Sequence, residues 1–124
     1  MLLAWSDDGL KRLCHEGQQL TLACGSQLVE VMLLLSVVQH ASTLESVAVL
    51  QSVAIELTGG MLVLRHRNAV LHVRPLNDEG EPQTVLSSKE LPRYASTSAF
   101  VVDDVVVSGR SLRRRQLTNG ALNA

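Results

Sequence analysis

At 124 residues, the chain has the common size of one folding domain. Hydrophobic side chains make up 46% and charged ones 19%, which supports a buried core and excludes disorder of the whole chain. The 12 acidic and 11 basic residues leave a formal net charge of −1, so no global field draws the protein to nucleic acid or anionic lipid.

Aromatic residues are scarce: Trp5, Tyr94 and Phe100 are the only ones. The core must therefore be aliphatic, and the base-stacking platform of a single-strand nucleic-acid binder is missing. Cys14 and Cys24 are too few for a disulfide framework and read as reduced, partly buried thiols. Together with an N-terminus that has no basic start, they predict an intracellular protein in a reducing compartment.

Taken in chain order, Asp7 or Asp8 can cap a helix over residues 9–16, with Gly17 as its stop. Residues 20–24 fit either a strand or the lead-in to the next helix. From Gln27 to His40 the period is helical. Leu28, Val31, Met32 and Leu35 share one face, yet Val29, Leu33, Leu34, Val37 and Val38 make the helix apolar almost all round. Such a helix is central in its fold or lies under a partner. Its apolar stretch, residues 28–38, is about half a membrane span, and no membrane association is predicted.

After Ser42-Thr43 the period changes to two. Residues 53–57, 62–67 and 70–74 predict three consecutive antiparallel strands, with Gly59-Gly60 at the first turn. A polar turn over residues 77–81 follows, then a short edge strand near Thr84 beside Pro82, and a loop over residues 91–98. Residues 99–107 form the strongest β run, interrupted by Asp103-Asp104. Residues 111–117 predict a short basic helix, and residues 118–124 a flexible tail. The fold expected is α+β: N-terminal helices packed on an antiparallel meander, with a short C-terminal helix, in one domain.

The segment Phe100-Val-Val-Asp-Asp-Val-Val-Val-Ser-Gly-Arg-Ser-Leu112 resembles the sugar-phosphate binding loop of the phosphoribosyltransferases. That resemblance implies that Asp103 and Asp104 hold ribose hydroxyls while Ser108, Gly109, Arg110 and Ser111, with Val107, cradle a phosphate. The layout of helices and meander, with Trp5 to Leu13 and Leu62 to Arg74, is similar to small ribosome-dependent messenger-RNA-cleaving toxins. This second resemblance implies that Arg65, Arg67, His72 and Arg74 contact RNA.

Other signals are thinner. Arg113, Arg114 and Arg115 form a basic cluster for an acidic partner or for a helix C-terminus. The histidines and cysteines show no metal-ligand spacing, so neither a metal nor a cofactor is expected. Asp103 and Asp104, as neighbours on a regular strand, should point to opposite faces and form no acid/base pair. No catalytic constellation is complete. The expectation is a non-enzymatic protein-interaction or scaffolding module, self-associating or held in a larger assembly, with nucleic acid disfavoured as a partner. Val29, Leu33, Leu34, Val37, Arg113, Arg114 and Arg115 are its candidate contact residues.

Overall fold

In the computed structural model, which describes residues 1–113, the chain is an α+β domain built on one mixed sheet. Strand β1 (Leu2–Trp5) opens the chain, followed by α1 (Asp8–His15), α2 (Gly17–Cys24), a 3-10 turn (Gly25–Gln27), α3 (Leu28–His40) and α4 (Leu44–Ala48). Strands β2 (Ala54–Thr58), β3 (Met61–His66) and β4 (Ala69–Pro75) come next, then a 3-10 segment (Ser88–Tyr94), β5 (Ala99–Val107) and β6 (Arg110–Ser111).

Local chemistry explains most helix ends. Asp7 caps α1 by accepting from Leu10 N at 2.8 Å, and Asp8 and His15 sit at the dipole ends that favour their charges. Thr43 caps α4, accepting from Ser46 N. Gly25, at φ +57° and ψ −125°, turns the chain between α2 and α3 in a conformation that costs other residues strain.

The strand order is β1-β5-β4-β3-β2, with β6 beside β5. Strands β2 to β5 pair antiparallel, and β1 lies parallel to β5. The meander predicted over residues 53–74 is present. Its first turn is Gly59-Gly60, both residues at positive φ, as a tight two-residue hairpin requires. Leu62, Leu64, Leu71 and Val73 stand opposite one another on one face and are buried, against Val31, Leu34, Leu35 and Val38 of α3.

Several expectations need correction. Residues 20–24 belong to a helix, because Leu20, Ala23 and Cys24 bury one side of it. Strand β1 and helix α4 carry too little periodicity of their own to announce themselves. Thr84 is exposed and in no strand; Val85 is fully buried and donates to Gly60 O at 3.0 Å. Ser111 ends a β hairpin with β5 where a helix was expected to start. The helix begins one residue later, with Leu112 and Arg113 helical; residues 114–117 of that predicted helix and the predicted tail lie outside the described residues, Arg114 and Arg115 among them.

A prediction follows from the burial of β4. Leu71→Ala, in the sheet centre, should cost about 2–5 kcal/mol in urea unfolding, while Leu86→Ala, 77% exposed, should change stability by no more than about 0.5 kcal/mol.

Candidate functional site

Two surfaces concentrate the residues that chemistry or partners could use. The first is a polar cleft of about 820 Å3 on the sheet face away from α3, where His72, Arg74, Asp103, Asp104, Ser111 and Arg113 meet beside the Gly59-Gly60 turn.

A β-bulge builds this cleft. His72 pairs with Asp104 and Val73 with Val102, so Asp103 is the extra residue on β5. Val102 and Val105 both enter the helix-side core, and the two aspartates between them turn to the same opposite face. The expectation that these neighbours diverge is therefore wrong. It assumed a regular two-residue period, which the bulge breaks.

Each carboxylate is committed. Asp103, only 9% exposed, accepts from Arg74 Nε at 2.6 Å and from Arg74 Nη2 at 2.8 Å, a bidentate fork. This hydrogen bonding raises the Arg74 pKa, against the lowering effect of burial. Asp104 accepts from Ser111 Oγ at 2.5 Å, from Val105 N at 2.8 Å and from Arg113 N at 3.3 Å. Arg113 Nη1 donates to Asp103 O at 3.2 Å and to Ser6 Oγ at 3.5 Å, so this arginine is turned into the structure and is no free basic contact.

The structure thus brings Asp103, Asp104 and Ser111 together, while Ser108, Gly109 and Arg110 are exposed at the hairpin tip. Ser108 and Gly109, at φ +49° and +79°, make the two-residue turn from β5 to β6, and Ser108 N donates to Asn68 O at 2.9 Å. Among the other residues of the sheet singled out in the sequence, Arg65 pairs with Glu56 and Arg67 occupies the β3–β4 turn at φ +54°. Among the described residues, no three His, Cys, Asp or Glu side chains gather as a metal site would require.

The second surface is the outward side of α2 and α3. Leu22 is 78% exposed, Val29 73%, Met32 55% and Leu33 42%. Residues 29, 32, 33 and 36 lie at the i, i+3, i+4, i+7 spacing of one helix face, opposite the buried Val31, Leu34, Leu35 and Val38. Leu34 is therefore a core residue, 1% exposed, and drops out of the candidate contact set. Val37 is half-buried against the same core. An all-round apolar helix gave no period by which these inward positions could be told from Val29 and Leu33.

Beside this face runs a groove of about 950 Å3 lined by Trp5, Cys14, Leu20, Leu28, Met32 and Leu35, among others. Trp5 stands edge-on to His15 with ring centroids 5.7 Å apart, which holds β1 to α1. No disulfide joins Cys14 and Cys24. Burial, reinforced by Cys24 and then Asp104, pushes the Cys14 thiol up from 9.0 to about 12.

Between Gly17 and Gln39 the only ionisable acid or base apart from Cys24 is Glu30, and its carboxylate accepts from Asn68 N at 3.0 Å. The helical run Gly17–His40 is long and apolar enough to cross a membrane by length and composition, a longer stretch than residues 28–38 alone suggested. Gly25 breaks it, however, and the sheet takes one side of α3.

No protein-family model, no curated protein and no solved structure matches this chain.

Two measurements check this account. Arg74→Ala should destabilise by about 1–3 kcal/mol, because it leaves the Asp103 carboxylate with little water and no fork; denaturant titration beside an Arg74→Met/Asp103→Leu double variant, expected to recover much of the loss, reads the difference. For Cys14, the folded-state value lies above the ordinary 9.0, so its contribution to stability is complete below pH 9 and is lost as the pH rises towards 12. The alkaline fall in stability of the wild type should accordingly exceed that of Cys14→Ala, compared by urea unfolding below the ordinary value, at about pH 8, and roughly one and a half units above it, at about pH 10.5.

Proposed function

We propose that this protein is a non-enzymatic interaction module that works through the outward face of α2 and α3. The observation that carries this reading is the exposure of Leu22, Val29, Met32 and Leu33 on two helices that hold, from Gly17 to Gln39, Glu30 as their sole Asp, Glu, Lys or Arg. Domain surfaces ordinarily carry about 25–35% charged residues. A contiguous apolar face without them is the signature of a covered surface. The polar cleft supports the same reading from the other side of the sheet. Its carboxylates hold Arg74, Ser111 and Arg113 in place, which is structural work.

A protein partner fits this face better than a lipid surface. Interfacial helices combine an apolar face with Lys and Arg that reach anionic headgroups. Residues 17–39 contain neither.

The test is site-resolved photo-cross-linking in the source cells, with a benzoylphenylalanine placed at Val29 and, as a control, at Glu79 on the polar turn. The expected outcome is an adduct from position 29 that maps to one peptide of one protein and disappears when Met32→Glu is added. Equal labelling from both positions, or none from position 29, would remove the basis for this function.

A further inference from the structure

We infer that the polar cleft on the sheet face away from α3 binds a small ligand through its oxyanion, a phosphate or a carboxylate group, with Arg74 and His72 as the donors that hold it. The inference is independent of the α2–α3 surface.

The hydrogen bonds already made within the cleft decide the sign of its ligand. A cation would need carboxylate oxygens, and these are spent. Asp103 gives both of its oxygens to the Arg74 fork. Asp104 accepts from Ser111 Oγ, Val105 N and Arg113 N. Donors, by contrast, are left over. The fork uses Nε and Nη2 of Arg74, and Nη1 makes no hydrogen bond among the described residues. With its side chain 32% exposed, Arg74 remains within reach of a ligand. His72, half-buried in the same lining, has no hydrogen bond or ion pair to any described residue. The Gly59-Gly60 turn on the rim adds two backbone N–H groups that donate to no described residue. A lining rich in donors and poor in acceptors suits an acceptor-rich ligand, and an ionised oxygen makes the strongest of such bonds.

Geometry and charge narrow the class further. His72 and Arg74 lie two residues apart on β4, so both side chains leave one face of the sheet from Cα atoms about 7 Å apart. The bulge turns Asp103 to that face as well, and its fork fixes the plane of the guanidinium. A side chain already held in one orientation loses little freedom when a ligand arrives. The formal charges of the cleft cancel, Asp103 and Asp104 against Arg74 and Arg113. An anion is therefore held by aimed donors and not by a net field. That suits one acid group on a small molecule and disfavours nucleic acid, whose binding depends on uncancelled positive charge. The cleft, at about 820 Å3, is larger than an acid group and falls in the size range of small-molecule sites. It leaves room for the body of the ligand against Met61 and Thr84.

The experiment is an NMR titration of the full chain with sodium phosphate and, separately, sodium acetate, each against sodium chloride at matched ionic strength. At least one probe should give saturable shifts confined to His72, Arg74, Gly59 and Gly60, with a dissociation constant of about 1–20 mM. The probe that binds more tightly identifies the acid group of the ligand. His72→Leu should weaken binding at least about threefold, and His72→Gln, which keeps a donor, by less. The Arg74→Met/Asp103→Leu double variant leaves net charge unchanged and no carboxylate unpaired; it should stay folded by circular dichroism and lose binding. Lys89→Gln, which removes an exposed positive charge outside the cleft, should leave the dissociation constant unchanged. Saturation by neither probe, shifts that chloride reproduces, or binding that survives the double variant overturns the inference. So does a loss on Lys89→Gln as large as that of the double variant, which would mark the effect as one of general charge.

Discussion

Strand β5 must serve three neighbours with nine residues, and the bulge at Asp103 is what lets it. On one side it pairs with β4; on the other it takes β1 along Ala99–Val102 and β6 along Val106-Val107. That leaves a window on the second side, opposite Asp103, Asp104 and Val105. Buried backbone groups need partners, and here side chains stand in for the absent strand. Arg113 Nη1 bridges Asp103 O and Ser6 Oγ, and Asp104 collects Ser111, Val105 and Arg113. The extra residue also keeps Val102 and Val105 in the core on either side of the two aspartates. Without it, one aspartate would face the aliphatic interior, where an unpaired carboxylate is costly.

That constraint orders the rest of the molecule. With β5 central and the meander β4-β3-β2 to one side, the sheet has one face rich in Leu and Val and one face carrying Arg65, His72, Arg74 and the aspartates. The aliphatic face demands cover, and α3 supplies it with Val31, Leu34, Leu35 and Val38. Phe100 is the one aromatic among the fully buried side chains, so dispersion among many small aliphatic groups does most of the packing. Residue 1 is tied to the helices as well: the Met1 amino group donates to Gln39 O at 2.8 Å and to Ala41 O, at the end of α3.

Much of this was legible in the sequence, within one residue at most boundaries. The strands β3, β4 and β5 and the helices α1 and α3 announce themselves because their apolar residues recur at periods of two or 3.6. The α+β class followed from that order. What stayed hidden depends on contacts distant in the chain. Strand β1 has four residues and acquires its identity from Phe100 and Val101, almost a hundred residues away. The bulge is invisible because Asp103-Asp104 looks the same whether the strand stops there or takes in an extra residue; the buried valines on both sides were the available signal. Of the candidate site residues, Asp103, Asp104 and Ser111 do converge, though upon one another and their cationic neighbours.

The α3 helix shows the limit most clearly. Its composition is apolar almost all round, and composition cannot say which side the protein's own sheet takes. The sheet takes Val31, Leu34, Leu35 and Val38. The remaining side then sets Val29, Met32 and Leu33, followed by the polar Ser36, facing water. Fully exposing such side chains forgoes about 1.5–3 kcal/mol each relative to burial. A soluble surface interrupts such a stripe with charge at little cost to the fold, since the positions are exposed and impose no packing demand. Here Glu30, tied to Asn68 N, is the sole Asp, Glu, Lys or Arg between Gly17 and Gln39, while the other 11 acidic and all 11 basic side chains lie elsewhere in the chain. The same helix therefore has two unlike sides: the sheet covers the inner one, through Val31, Leu34, Leu35 and Val38, and the outer one presents Val29, Met32 and Leu33 at the surface of the domain.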